Sequence, residues 1–212
     1  MNDTNRLTDS CSWRLSRPGE LTWEVARFFP RQGQWTKEDY LSLDTNNLVE
    51  LSNGCLELLP MPTDFHQAIV AFLYEVLKAF AMAHALGIVR FASLPVELWP
   101  GQIREPDILY MKAENAHRIQ DYWHGADLVM EVVSPSNADH DYHTKRQEYA
   151  QAGIPEYWIV DVIRRHILVL TLNGTTYRVH GDFGPGTTAT SVLLPGFAVA
   201  VDDVLALAPA GA

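Results

Sequence analysis

The sequence predicts a mixed α/β (α+β) fold: a mixed β-sheet flanked by helices, with a β-hairpin towards each end of the chain. Three observations lead there. Two Asn-Gly pairs, Asn53-Gly54 and Asn173-Gly174, each lie between runs of alternating polarity, the strongest short-range hairpin signal. The stretch from Asp64 to Leu86 carries apolar residues at helical spacing. Short apolar runs at 107–111, 127–133 and 157–160 read as strands, and a polar helical segment separates the last two.

Taken in order, residues 1–20 are polar and mixed, and read as a loosely ordered extension before one domain over 21–212. Trp35 to Leu41 is a helix start, with Thr36 as the cap and Asp39 at the third helical position. Leu48 to Leu59 forms the first hairpin around Asn53-Gly54, closed by Pro60 and Pro62. In the long helix Ile69, Val70, Leu73, Val76, Leu77 and Phe80 share a face, and Gly87 is its expected stop. Strands follow at Ile88–Ala92, Val96–Trp99 and Asp107–Met111. A polar loop containing Tyr122-Trp123-His124-Gly125 leads into strand Asp127–Val133, which breaks at Ser134-Pro135-Ser136. A polar helix over about 139–152 ends at Gly153 and Pro155, before strand Tyr157–Val160. The second hairpin spans Ile167–Leu172 and Thr176–Val179; Phe197–Val201 and a short helix around Val204 finish the chain.

Composition sets broad bounds. With 212 residues, 47% hydrophobic and 20% charged, the chain is ordinary for a globular domain able to bury a core. No apolar run approaches the roughly 20 residues of a membrane span, the first residues do not read as a secretory signal, and no membrane partner is expected. Two cysteines, Cys11 and Cys55, do not form a disulfide framework, so the expected compartment is the cytoplasm. The net charge of −10 and the scattering of Arg and Lys argue against a broad basic face for tracking a duplex. Glycine-rich phosphate loops and a Gly-x-Ser-x-Gly elbow are absent from the sequence, which sets aside those nucleotide-binding and hydrolase classes.

Chemistry concentrates in three residues. Asp107 lies in Arg-Glu-Pro-Asp-Ile-Leu-Tyr-Met and Glu131 in Asp-Leu-Val-Met-Glu-Val-Val-Ser-Pro, both in apolar strand contexts. A carboxylate buried without a partner costs several kcal/mol, so its presence there calls for a cation. With Lys145 on the helix that follows, the set suggests a divalent ion and an activated water, an arrangement suited to phosphodiester cleavage. The plain alternatives are a turn role for Asp107 and a buried ion pair with an arginine for Glu131. Asp141, one helical turn before Lys145, is its simplest ion-pair partner. His140 and His143 share a helix face without a third zinc ligand and read as surface histidines. Tyr149, Tyr157 and Trp158 read as packing that helix on the sheet, and Asp161 as a polar end to its strand.

Pro106-Asp107, a later acid in an apolar strand and a following lysine resemble the restriction-endonuclease-like nucleases, with their Pro-Asp…(Asp/Glu)-x-Lys signature. More specifically, Trp35 to Asp161 is similar to the Uma-two family of endonucleases. The matching segments include Val49-Glu50-Leu51 with Gly54, Met61-Pro62 with His66, Glu105-Pro106-Asp107, the Asp127–Pro135 strand, Lys145 with Tyr149-Ala150, and Gly153-Ile154-Pro155-Glu156-Tyr157-Trp158-Ile159-Val160-Asp161. The resemblance implies a restriction-endonuclease-like core and a Mg²⁺- or Mn²⁺-dependent endonuclease acting on nucleic acid, DNA before RNA. Asp107, Glu131 and the carbonyl of Val132 would hold the metal, and Lys145 would orient the water. Lysine does not stand two places after the second acid, where this chain has Val133, so the resemblance implies that Lys145 reaches in from the next helix. Glu50 matches an additional acid near the metal, or is a solvent-facing strand residue; His66 approaches the phosphate or a metal-bound water, or is a capping or surface histidine. A homodimer would suit cleavage of two strands. A non-catalytic interaction protein that retains this fold is the competing reading.

Overall fold

The structure is a computed structural model that describes residues 28–208, apart from residue 46 and residues 135–137. The expected extension over 1–20 and Cys11 lie outside the described residues. Helix α1 (Lys37–Leu41) opens with a full capping box: the Thr36 hydroxyl accepts from the Asp39 N–H, and the Asp39 carboxylate accepts from the Thr36 N–H. Strands β1 (Val49–Ser52) and β2 (Cys55–Leu58) form the first hairpin. Gly54 turns it with φ +77°, and a Cβ there would lie 2.8 Å from the Gly33 backbone.

Thr63 caps α2 (Asp64–Ala83) by accepting from the His66 N–H, so His66 itself is not the cap. The helix ends at Ala83, before the expected Leu86, through His84 and a left-handed Ala85. Gly87 starts β3 (Gly87–Phe91) instead of stopping the helix. A Cβ on it would lie 2.0 Å from the Met111 carbonyl oxygen, so glycine is needed where two backbones approach.

Strands β4 (Val96–Trp99), β5 (Gln102–Arg104), β6 (Ile108–Lys112), β7 (Trp123–His124), β8 (Leu128–Val132), β9 (Glu156–Asp161), β10 (His166–Asn173) and β11 (Thr176–Phe183) complete two sheets. One mixed sheet was expected, but the strands divide between a six-stranded sheet, β11-β10-β9-β8-β6-β3, and a five-stranded one, β2-β1-β5-β4-β7. The cause is β5, too short and polar to read as a strand. It pairs with both β1 and β4 and draws the first hairpin into a sheet of its own. Trp123-His124, expected as loop, pairs parallel with β4 in that sheet. A small pair, β12 (Thr188–Thr190) and β13 (Ala198–Ala200), and helix α4 (Val201–Leu205) close the chain.

Alternation along the six-stranded sheet builds two cores. Ile69, Leu73 and Leu77 of α2 pack on Ile108, Tyr110, Leu128, Met130 and Val160. Each such side chain contributes about 1.5–3 kcal/mol when fully buried. The opposite face carries Leu109, Val129, Tyr157 and Ile159 against Tyr149 of α3 (Arg146–Gln151). Trp158 therefore does not join Tyr149 and Tyr157; as their strand neighbour it points the other way and packs on Phe197. By length and composition α2 could cross a membrane, but its apolar face lies in this core. Asp161 accepts the N–H groups of Ile163 and Arg164 and closes its strand, as expected.

Ahead of α3 the helix widens into a π turn over His140–Lys145, a local irregularity found often at functional positions. Asp141 and Lys145 of this turn are both buried.

Candidate active site

Sheet register brings the two acids together. β6 and β8 run antiparallel with Ile108 opposite Met130, so one step further Asp107 faces Glu131 on the same side of the sheet. The Asp107 Oδ2 accepts the Val132 N–H at 2.8 Å and lies 3.3 Å from His66 Nε2, which is positioned by the first turn of α2. Asp107 is thus tied to its neighbouring strand and does not close a turn. Glu131 accepts a 2.6 Å hydrogen bond from the Tyr149 hydroxyl. The amine of Lys145 sits 2.9 Å from Glu131 Oε1, 3.5 Å from Asp141 Oδ1 and 3.9 Å from Glu50 Oε1. Glu131 therefore has an ion-pair partner, but it is a lysine and not an arginine.

Asp107, Glu131, Val132, Lys145, His66, Asp141 and Glu105 all line one cavity of about 220 Å³. Glu50 does not line it. The solvent-facing alternative for Glu50 fails, since the residue is fully buried behind Lys145. β1–β5 register places Glu50 opposite Arg104, and β1–β2 register places it opposite Glu57, all on one face of the five-stranded sheet. The Arg104 guanidinium, itself fully buried, donates to Glu50 at 2.8 Å, to Glu57, and to both oxygens of Glu148 on α3 at 2.7 Å. The α3 helix is thereby anchored to one sheet by Glu148, while Lys145, one residue before it, reaches the other. His143 is exposed and His140 is half-buried with Nε2 3.8 Å from Glu57.

The electrostatics are those of a site short of positive charge. Burial pushes the Glu131 carboxyl up to about 8; Lys145 and Tyr149 oppose this, while Asp107 and Asp141 add to it. Burial likewise lifts Asp141 to about 6, and raises Glu105. Burial would lower Lys145, but Glu131, Glu50 and Asp141 outweigh it and hold the amine firmly protonated. For Glu50 burial is overcome by Lys145 and Arg104, which keep it ionised. His66 is raised: Asp107 and Glu131 outweigh its burial.

The sequence profile of the family Uma2, described as "Putative restriction endonuclease", matches residues 37–202, well over half of the chain. The chain belongs to the Uma2 family. A crystal structure described as "a putative nuclease belonging to DUF820 from Anabaena variabilis ATCC 29413" has the same fold. It is 16% identical, with a TM-score of 0.69, and the alignment covers 81% of this chain and 98% of that one. No curated protein matches. Family and fold together make this Uma2 chain a restriction-endonuclease-like protein of a nuclease family, with nucleic acid as the implied substrate class.

Restriction-endonuclease-like proteins generally use divalent metals, and the donor set fits one. Among the described residues no three His, Cys, Asp or Glu side chains form a ready metal cage. Mg²⁺ does not need one: it takes one or two carboxylates and fills its shell with water and phosphate oxygens. Asp107 and Glu131 are hard oxygen donors at one cavity, and the charge deficit around Glu131 is what a bound cation relieves.

Five of the six expected site residues thus line one cavity, and the sixth braces it. Arg104, Asp141, Glu148, Tyr149 and Glu105 were not read from the sequence as parts of the site. A signal for Arg104 did exist: Glu50 and Glu57 are equidistant from the Asn53-Gly54 turn, and two like charges directly opposite require a cation.

Proposed function

We propose that the protein is a Mg²⁺- or Mn²⁺-dependent endonuclease that hydrolyses phosphodiester bonds, with DNA as the first substrate to test. The observation that supports this most is the convergence of Asp107, Glu131 and Lys145 on one cavity, although 38 positions separate the first from the last in sequence. Asp107 and Glu131, with the Val132 carbonyl, would hold the metal. A bound divalent ion would supply Lewis-acid polarisation of the scissile phosphate and a more acidic water. Lys145 orients the attacking water and faces the charge that develops on the phosphate. His66, whose basicity is raised by Asp107 beside it, lines the same cavity and would donate to a phosphate oxygen. Glu50 and Arg104 keep Lys145 in position from behind.

A cytoplasmic location is proposed on the cysteine content alone, two cysteines being too few for a disulfide framework. A homodimer would allow both strands of a duplex to be cut. Purified protein incubated with plasmid and with Mg²⁺ or Mn²⁺ should cut it, and EDTA should stop the reaction. Asp107→Ala should abolish cutting and Lys145→Ala should reduce it at least 100-fold. Equal activity in wild type and both variants would reject the assignment and favour the non-catalytic reading.

A further inference from the structure

Beside the acidic cavity lies a second hollow of about 210 Å³ with apolar walls: Met61, Phe65, Ile69, Val133, Val162 and Ile163. The two cavities share Pro60, Met61, His66, Val132 and Ser134. Met61 is 76% exposed and Ile163 59% exposed, so two large apolar side chains stand unpacked at this hollow. Single exposed apolar residues are ordinary, but a pair beside an apolar hollow that adjoins a charged one marks a ligand surface.

We propose that this hollow takes one unstacked nucleobase of the strand being cut, next to the phosphate at the acidic cavity. The proposal rests on the nuclease reading above. A nucleotide carries an anionic phosphate and, one sugar away, a flat heterocycle with apolar faces. Two cavities of matching character that meet at His66 and Val132 suit those two parts. At about 210 Å³ the hollow has room for one heterocycle. A base inside a duplex has both faces covered, so it enters only from a single strand or after extrusion. The net charge of −10 agrees: a strand gripped by burying a base depends less on a basic track along its phosphates.

The test is an abasic scan. End-labelled single strands, as DNA and as RNA of one sequence, are cut in Mn²⁺ alongside the matching duplex, with each nucleotide in turn replaced by an abasic one. The single strand should be cut at least 10-fold faster than the duplex. In whichever strand is cut, one abasic position beside the scissile phosphate should lower kcat/KM at least 10-fold. That position-specific loss should vanish in the double variant Met61→Gln/Ile163→Gln. Both substitutions are at exposed positions, and the scan of the wild type does not depend on them. Cleavage that ignores every abasic position and favours the duplex overturns the base pocket and leaves the nuclease reading standing. No cleavage of any strand overturns both.

Discussion

Replacing Lys145 by Met removes the one amine among three buried carboxylates. Its nitrogen is 2.9 Å from Glu131, 3.5 Å from Asp141 and 3.9 Å from Glu50. With all three acids ionised, each contact carries roughly 4–6 kcal/mol of attraction at an effective dielectric of about 20. Most of that offsets the cost of taking four charges out of water, and breaking such a buried set by deleting one member costs about 3–5 kcal/mol net. In a domain of this size that corresponds to a fall in Tm of roughly 6–20 °C. The effect should depend on pH in a definite direction. Without the amine the three acids take up protons more readily, so acidification from pH 8 to pH 5 neutralises the uncompensated charge and shrinks the difference from wild type. Thermal unfolding of both proteins, metal-free, across that range measures it. A variant within 1 kcal/mol of wild type at pH 8, or a gap that widens on acidification, would refute the placement of Lys145 among these carboxylates.

Glu131→Gln should separate stability from binding. Burial raises the Glu131 carboxyl from 4.5 to about 8, so its contribution to stability is present below about 4.5 and lost as pH rises through about 8. The Tm of metal-free Glu131→Gln relative to wild type should therefore climb from pH 5 to pH 8, while calorimetric heat on adding Mg²⁺ should largely disappear; a flat difference would contradict the assigned burial. Tyr149→Phe deletes the 2.6 Å hydrogen bond to Glu131 and should cost about 1–3 kcal/mol in denaturant unfolding, with an unchanged value signalling that the hydroxyl is not bonded there. Arg104→Met strands Glu50, Glu57 and Glu148 and should destabilise by at least 3 kcal/mol. Adding Glu148→Gln to it should restore part of that loss, because one stranded charge is removed; strict additivity of the two would show that they do not interact.

Much of this site was legible because its strands are periodic. The Asn-Gly turns, the 3.6-residue spacing of Ile69, Leu73 and Leu77, and an acid inside Leu-Val-Met-Glu-Val-Val all carry local signals, and these positioned β1–β2, α2 and β8. What local signals do not carry is pairing between distant segments. Gln102-Ile103-Arg104 is three residues long, yet its bonds to β1 and β4 create the second sheet and bury Glu50. Glu50 read equally well as exposed because an alternating strand has one polar face; only Arg104 and Lys145, 54 and 95 positions away, reveal that this face is covered. The π turn over His140–Lys145 was invisible for the opposite reason. It differs from an α-helix in backbone pitch and not in residue type, yet it belongs to the helix that carries Lys145 to Glu131 without the usual Glu-x-Lys spacing. Trp158 turns away from the helix that Tyr157 meets, because adjacent residues of one strand face opposite sides of the sheet.

The account stands on an ion held between Asp107 and Glu131. Crystals soaked in Mn²⁺ and measured at an energy where manganese scatters anomalously would show it directly. One peak per chain is predicted in the cavity between the two carboxylates, absent after Asp107→Ala. A cavity without manganese at millimolar concentration, or a peak confined to other residues, would contradict it.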